Sequence, residues 1–230
     1  MNTQMIQPPM PLTVLSPGLR RAAVNSHWHQ SVIVALDASQ SMNDENKAEE
    51  AVQSLEGLIQ ELANPSNKNA FEGAVIKFSE RATVVCPFKP VTALLGRLPR
   101  LDPGSFGAAT NITSALQLAR RLLQDSAQSV ASGFRYVKPL TVLLTDGVHN
   151  HGPDPVAEAE ALKAISDVLT VAFGTDADEE MLASIATEQL SVRCRNGAEL
   201  RCYFAEVGRT LTVTRAAGMS VASALATDQQ

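Results

Sequence analysis

The sequence is short of several residue types, and each shortage narrows what the protein can be. Aromatic residues make up 4% of the 230 residues, with one tryptophan, and there are three cysteines, Cys86, Cys194 and Cys202. The cysteines lack the paired spacing of a metal-binding motif, so we expect free thiols in a reducing compartment. No apolar run approaches the ~20 residues that span a bilayer, so no membrane-embedded segment is expected.

Basic residues are also in deficit. Lysine and arginine number 19 against 24 aspartates and glutamates, which gives a formal net charge of -5. The arginines are scattered and form no basic stripe. Binding to nucleic acid or to an anionic membrane surface requires concentrated positive charge, so neither is expected as a partner.

The first 26 residues differ from the rest of the chain. They contain several of the twelve prolines and show no hydrophobic periodicity, so we interpret residues 1–26 as an extended N-terminal arm and residues 27–230 as a single domain. The arm lacks a basic start followed by an apolar core, so it does not resemble a secretory signal, and we expect a cytoplasmic protein.

Short apolar runs alternate with amphipathic segments along most of the chain. The runs at 31–36 (SVIVAL) and 139–147 (PLTVLLTDG) are almost continuously apolar, which is typical of parallel strands buried on both faces. The runs at 73–79 and 82–88 are too close for a crossover and predict an antiparallel hairpin. The alternation predicts an α/β fold, a doubly wound Rossmann-like domain with helices on both faces. Its mostly parallel six-stranded sheet has one antiparallel edge strand.

Two further predictions are local. Asn43 and Asp44 are good N-cap residues and are expected to begin the first helix. The triplet Tyr203-Phe204-Ala205 is expected to form a short last strand before a C-terminal helix.

Three loops of this predicted fold carry oxygen-bearing side chains and follow strands or precede a helix at the same edge of the sheet. Ligands of doubly wound sheets lie at that edge, beyond the carboxyl ends of the strands. The side chains are two carboxylates and three hydroxyls: Asp37, Ser39, Ser41, Thr110 and Asp146. Hard oxygen donors favour magnesium, manganese or calcium over zinc or copper. Because hydroxyls are neutral, the ion would keep enough positive charge to attract a carboxylate from outside.

These residues carry a resemblance to a known family. The segment DASQSM resembles the DxSxS element of the metal-ion-dependent adhesion site of von Willebrand factor A domains, and Thr110 and Asp146 match the other two elements in the same order. The resemblance implies that Ser39, Ser41 and Thr110 contact the metal directly. Asp37 and Asp146 would act directly or through water.

The same resemblance implies the cofactor and the partner. The ion would be one divalent cation, usually magnesium, with manganese and calcium as alternatives, and a partner protein would supply an Asp or Glu carboxylate to it. Two positions depart from the family pattern, since Gln40 and Ala109 stand where glycines are common. The overall layout is similar to bacterial tellurium-resistance proteins of the TerY type. This implies an adaptor in a stress-response or defence system with kinase- or phosphatase-like partners.

Three other interpretations remain open. Asp37, Ser39 and Ser41 suit a turn that caps the following helix. A metal-dependent hydrolase or phosphoryl-transfer enzyme would use Asp37 or Asp146 as nucleophile or base, although the sequence has no GxxxxGK[ST], GxGxxG or GxSxG motif. A purely structural ion that stiffens the three loops is the third possibility.

The four histidines form two pairs, His27 with His29 and His149 with His151. The first pair precedes the first strand and the second pair follows a later parallel strand, so about 20 Å of strand separates them. They are therefore not expected to share a zinc ion. His149 and His151 are candidates for the rim of the metal site, where they would touch a partner.

Overall fold

Seven strands form one sheet at the centre of the computed structural model, which describes residues 28–98, 107–127 and 135–227. The strands are β1 (Trp28–Asp37), β2 (Phe71–Phe78), β3 (Ala82–Pro90), β4 (Arg135–Tyr136), β5 (Leu140–Thr145), β6 (Asp167–Phe173) and β7 (Ser191–Cys194). Their order is β3-β2-β1-β5-β6-β7, and the two-residue β4 pairs with the start of β1. The N-terminal arm and His27 lie outside the described residues.

All the strand pairs in the sheet are parallel except β2 with β3. The predicted doubly wound sheet with one antiparallel edge strand is therefore confirmed. The sheet has seven strands rather than six because β4, with two residues, is too short to leave a hydrophobic pattern in the sequence. We call the side of the sheet where the parallel strands begin the amino edge and the side where they end the carboxyl edge.

Helices cover both faces of the sheet. They are α1 (Lys47–Leu62), α2 (Ile112–Ala127), α3 (Val156–Lys163), α4 (Glu179–Ile185), α5 (Gly197–Ala216) and α6 (Val221–Thr227). Short 3-10 helices occupy Gln40–Asn46, Pro65–Asn67 and Val91–Ala93. Helices α1, α5 and α6 contribute to one hydrophobic core, and α2, α3 and α4 contribute to the other, on the opposite face.

The first strand shows why its sequence is apolar without interruption. Val32, Val34 and Leu36 belong to the core beneath α1 and α5, whereas Ile33 and Ala35 belong to the core beneath α2. All five side chains are at most 2% exposed. A strand buried on both faces needs apolar residues at every position, so the run at 31–36 is continuous instead of alternating.

The predicted strand at 203–205 is wrong, because these residues lie inside α5, and the last strand is β7. A triplet containing two aromatic residues has high strand propensity. The longer pattern is helical, however, since residues three and four apart are buried on one side of α5: Leu200, Tyr203, Phe204, Val207 and Leu211. Burial of this stripe outweighs the local propensity.

The predicted caps of the first helix are also wrong. Asn43 and Asp44 lie within the 3-10 helix Gln40–Asn46, and α1 begins only at Lys47. The N-cap position belongs to Asn46, which has a φ of 61° and makes no side-chain capping bond. The helix ends at Leu62, just before Asn64 and Pro65, because the residue that precedes a proline disfavours helical backbone.

The strand order reverses between β1 and β5. From β1 the chain continues outwards to β2, whereas β5 continues in the opposite direction to β6 and β7. The connections therefore leave the sheet on different faces and open a crevice at the carboxyl edge. Within the described residues, no helix has the length and apolar character needed to cross a membrane. All three cysteines are unpaired.

Candidate metal centre

Asp37 is the last residue of β1, and its side chain is fully buried. The backbone N–H of Ser39 donates a hydrogen bond of 2.7 Å to Asp37 Oδ1, and the hydroxyl of Thr145 donates to Asp37 Oδ2. Thr145 ends β5, so this carboxylate joins the ends of the two central strands. Oδ1 fixes the first loop, which follows β1, and Oδ2 ties that loop to the end of β5, which suits a residue that orients the site.

Burial raises the pKa of Asp37 to about 6, against the opposing hydrogen bonds from Thr145 and Ser39. The negative charge of Asp146 adds a smaller upward contribution to this pKa. A carboxylate removed from water favours its neutral form unless a positive charge lies nearby. The site therefore contains a negative charge that a cation would stabilise.

The hydroxyls of the first loop point at one another and at Asp146. Ser39 Oγ and Ser41 Oγ are 3.1 Å apart, and Ser41 Oγ donates to Asp146 Oδ1 at 2.7 Å. Ser39 is 3% exposed and Asp146 is fully buried. Side chains from the ends of β1 and β5 thus place four oxygen atoms side by side, counting both oxygens of Asp146.

The second loop is attached to the first through its backbone. Gly107 N–H donates to the carbonyl of Ala38 at 2.9 Å, and Ser39 and Gly107 form an isolated parallel bridge. A Cβ placed on Gly107 would lie 2.3 Å from Ser79 Oγ, which no side chain tolerates. Glycine is required here because the loop passes so close to the end of β2, and this passage brings Thr110 to the site.

Thr110 is held from the other side by the loop that follows β5. Its N–H donates to Asn150 Oδ1 at 2.9 Å, and the N–H of Asn150 donates back to the Thr110 carbonyl at 3.1 Å. Thr110 is 3% exposed. Sequence reasoning missed Asn150, because no motif marks an asparagine that binds a backbone forty residues away.

Gly147 leaves the space on which these loops converge. A Cβ placed on it would lie 3.3 Å from Thr110 Oγ1 and 3.7 Å from Ser41 Oγ. Two of the loops therefore bring hydroxyl oxygens within reach of one small volume next to Asp146, which the third loop carries. Any side chain at position 147 would narrow that volume, so the glycine of the TDG turn is explained by the space as well as by the turn.

The donor set fits a hard divalent cation. The oxygens of Ser39, Ser41, Thr110 and Asp146 surround the space beside Gly147, with Asp37 behind them. Such donors suit magnesium, manganese or calcium. The described residues contain no group of three or more histidine, cysteine, aspartate or glutamate side chains able to hold a metal. A metal here would depend on neutral hydroxyls, as the sequence predicts.

Lys47 is a second residue that sequence reasoning missed. Its Nζ lies 2.8 Å from Asp146 Oδ2, and its side chain is 12% exposed. The residue is the first of α1, directly after the 3-10 helix that carries Ser41. The start predicted for this helix from the sequence is too early. A helix that begins at Asn43 or Asp44 would have Lys47 in its second turn, whereas Lys47 is the first residue of α1.

The histidines occupy different positions. His149 Nδ1 accepts a hydrogen bond from the N–H of Ile112 at 3.2 Å, and its Nε2 lies 3.1 Å from the carbonyl of Pro153, which fixes the proton on Nε2. His149 thus holds the start of α2, while His151 is exposed. Contact of either with a partner stays a prediction. His29 lies near the start of β1, at the amino edge, far from the second pair.

The two departures from the family pattern leave ordinary backbone. Among the described non-glycine residues, positive φ occurs at Asn46, Lys68, Asn69 and Gln189. Gln40 and Ala109 are not in this set, so neither position needs the left-handed conformation that favours glycine.

Comparison with known proteins shows the family and the fold of the chain. The von Willebrand factor type A domain profile matches residues 31–201. Proximal thread matrix protein 1 from the mussel byssus, in a structure with a zinc-occupied MIDAS motif, is 22% identical with a TM-score of 0.66. The match covers 84% of this chain and 49% of that one. Comparison with curated protein sequences finds no match.

Two bacterial structures are similar as well. A von Willebrand factor type A protein from Catenulispora acidiphila is 21% identical, with a TM-score of 0.64, and the match covers 81% of this chain and 42% of that one. The pilus adhesin SpaC from Lactobacillus rhamnosus GG is 16% identical, with a TM-score of 0.65 and coverages of 81% and 31%. The chain spans half or less of the length of each of these three structures.

Proposed function

Because the chain belongs to the von Willebrand factor type A family, we propose that it is a protein-binding module whose binding surface is completed by one divalent metal ion. Ser39, Ser41 and Thr110 would hold the ion, with Asp37 and Asp146 acting directly or through water. The ion would supply a positive charge that accepts a carboxylate from an Asp or Glu of the partner. Magnesium is the proposed ion.

One observation carries this proposal. Hydroxyls from two separate loops and the carboxylate from a third meet beside Gly147, where a Cβ would touch Thr110 and Ser41. A turn that merely caps a helix does not need this convergence, because it satisfies the nearest backbone N–H groups. Here Ser39, at the N-cap of the 3-10 helix, makes no side-chain capping bond.

The chain's own residues perform three tasks in this function. Asp37 fixes the end of β1 to the end of β5 through Thr145. Asn150 holds the backbone of Thr110 on both sides, so that its hydroxyl keeps its position. Burial of Asp37 and Asp146 keeps water from screening the charge of the site.

The cellular setting is a finer part of the proposal. The sequence resemblance to TerY-type proteins supports a cytoplasmic adaptor in a bacterial stress-response or tellurium-resistance system with kinase- or phosphatase-like partners. The structural neighbours described above do not bear on this setting. A host that gains tellurite tolerance only with the unmutated chain would support it.

The first experiment measures metal binding by calorimetry with magnesium, manganese, calcium and zinc. Ser41→Ala removes one hydroxyl from the site, and Ser184→Ala, on the exposed surface of α4, is the matched control. We expect magnesium binding to weaken at least about tenfold in Ser41→Ala and to be unchanged in Ser184→Ala. Equal binding by both variants would contradict the proposed site.

The second experiment captures partners from cell extract with magnesium, with EDTA, and with Asp37→Ala. A partner retained only by the unmutated chain with magnesium supports the proposal. Partners retained in all three conditions would make the metal structural or irrelevant to binding. Turnover of a phosphate ester or a peptide that stops in Asp37→Ala would instead support the metal-dependent enzyme.

A further inference from the structure

We propose that Lys47 is a resident cation of the metal site, which competes with the divalent ion for Asp146 and makes metal binding depend on an anionic partner. The inference rests on the proposed metal-binding function. Two independent features carry it: the contact of Lys47 with Asp146, and the position of Lys47 at the start of α1, which helix stability does not explain.

Each of the two carboxylate oxygens of Asp146 has a different partner. Lys47 Nζ lies 2.8 Å from Oδ2, and Ser41 Oγ donates to Oδ1 at 2.7 Å. Asp146 is fully buried, and each of its two oxygens already has a partner from the same chain. A divalent ion that draws on this carboxylate must therefore share its negative charge with the ammonium.

The end of the Lys47 side chain lies beside the loop that follows β6. A Cβ placed on Gly174, just after β6, would be in van der Waals contact with it, 3.5 Å from Lys47 Cε and 3.6 Å from Nζ. Gly174 has a φ of 88°, a conformation that glycine adopts without strain. The glycine therefore leaves the lysine side chain room on this side.

Helix stability does not explain a lysine at this position. Lys47 is the first residue of α1, where the helix dipole favours negative side chains and disfavours positive ones. Glu49 and Glu50 follow in the same turn and suit the dipole. The lysine is explained by the carboxylate it meets across the site.

The contact between Lys47 and Asp146 changes the net charge of the site when an ion is bound. Asp37 and Asp146 carry two negative charges when ionised, and Lys47 carries one positive charge. A divalent ion then leaves the site with one positive charge in excess, whereas without Lys47 the same ion would leave it neutral. Lys47 should therefore weaken binding of the ion alone and strengthen binding of a carboxylate to the loaded site. This is positive coupling between metal and anion.

The test is a magnesium titration by calorimetry with and without acetate, which serves as the carboxylate probe. Lys47→Met removes the charge, Lys47→Arg keeps it, and Lys89→Met is the matched control. Lys89 is exposed on β3 and pairs with Gly73 near the amino edge. Without acetate, we expect magnesium to bind about tenfold more tightly to Lys47→Met than to the unmutated chain. Acetate should tighten magnesium binding in the unmutated chain and in Lys47→Arg, but not in Lys47→Met.

A thermal unfolding series distinguishes this role from a structural one. In EDTA, Lys47→Met should melt at a lower temperature than the unmutated chain, because Asp146 loses its positive partner. The rise in melting temperature caused by magnesium should be larger in Lys47→Met. A drop of equal size with and without magnesium would overturn the proposal, and so would unchanged or weaker magnesium binding.

Different results would contradict the proposed metal site and the proposed role of Lys47. If Asp146→Asn abolishes magnesium binding while Lys47→Met leaves it unchanged, the metal site stands and only the role of Lys47 is overturned. If neither the unmutated chain nor any variant binds a divalent ion, the proposed function and this inference are both overturned.

Discussion

The two edges of the sheet both bury charged side chains, but the balance of charge differs between them. At the amino edge, one buried carboxylate, Asp167, faces Lys138 at 3.1 Å and the N–H of Ala222 at 3.1 Å. The buried Arg215 donates to the carbonyl of Trp28 and lies 5.3 Å from the ring centre of Phe71. The two buried charges there, one negative and one positive, balance each other in number, and both meet groups of the same chain.

At the carboxyl edge the excess is negative. Two fully buried carboxylates, Asp37 and Asp146, face one ammonium, and the remaining polar groups are hydroxyls that point at one another. A buried charge by itself therefore does not identify a ligand site. What identifies one is a cluster of oxygens from several loops with too little positive charge among them. The amino edge is held by its own contacts, and the carboxyl edge is arranged for an ion.

The sharpest test of this comparison replaces one carboxylate at each edge. Asp146→Asn should weaken magnesium binding at least about 100-fold, because the lost charge belongs to the metal site itself. Asp167→Asn is the matched control at the amino edge and should leave magnesium affinity unchanged while lowering the melting temperature. Calorimetry and thermal unfolding measure the two effects. Equal loss of magnesium affinity in both variants would remove the distinction between the edges.

The second prediction uses pH. Asp37 has a raised pKa of about 6 in the folded chain, so the folded state binds more protons than the unfolded state between pH 4 and 6. Its contribution to stability is complete below about pH 4 and is lost as pH rises through 6, by about 3 kcal/mol in the metal-free protein. Urea unfolding in EDTA across this window measures the loss.

Magnesium should reverse this trend, because the ion binds the ionised carboxylate. Magnesium affinity should fall about tenfold for each pH unit below 6. Asp37→Asn is the control and should lose this part of the pH profile of metal-free stability. A profile of the unmutated chain that is flat between pH 4 and 6 would show that Asp37 does not titrate there.

The third prediction concerns a substitution that disrupts contacts at the amino edge alone. Arg215→Met removes the hydrogen bond to Trp28 and the cation above Phe71, and should lower the free energy of unfolding by about 2 kcal/mol. Arg209→Met lies on the same helix, α5, with a 62% exposed side chain, and should change the stability by less than about 0.5 kcal/mol. Magnesium affinity should be the same in both variants, as measured by calorimetry. Loss of affinity in Arg215→Met alone would mean that the edges are coupled.

The smallest expected effect concerns the support of Thr110. Asn150→Ala removes the bond to the Thr110 N–H but no ligand of the ion, so magnesium affinity should fall about tenfold. Asn64→Ala is the control, because Asn64 makes a similar bond to the Ser66 N–H in an exposed turn. Unchanged magnesium affinity in Asn150→Ala would show that the backbone of Thr110 is held by its other contacts.

The sequence predicts the site better than it predicts the supports of the site. The five proposed ligands could be named in advance, because four of them follow apolar runs whose strand ends meet at one edge and Thr110 precedes a helix there. That they hold an ion stays a prediction. Lys47 contacts a residue 99 positions away in the chain, and Asn150 contacts one 40 positions away. No local pattern in the sequence encodes such pairings. Only the folded chain brings them together.

The fold shows the same division between strong and weak patterns. The hairpin of β2 and β3 and the core strand β1 are predictable, because burial on both faces or a short link leaves a clear pattern. The 3-10 helix Gln40–Asn46 is not, because its course depends on the loops that it supports. The triplet at 203–205 was misassigned because three residues are too few to separate a strand from one turn of a helix.

The parallel pairing of β1 with β5 has a mechanical consequence. The first loop leaves β1 and the third leaves β5, and these strands are paired in register from Val32 with Leu140 to Leu36 with Leu144. A pull on a bound partner would act along both strands together, in the same direction. The bonds of β1 with β2 and of β5 with β6 would then be loaded in shear, all at once instead of one after another. A partner bound at this junction would therefore pull against two rows of hydrogen bonds in the middle of the sheet.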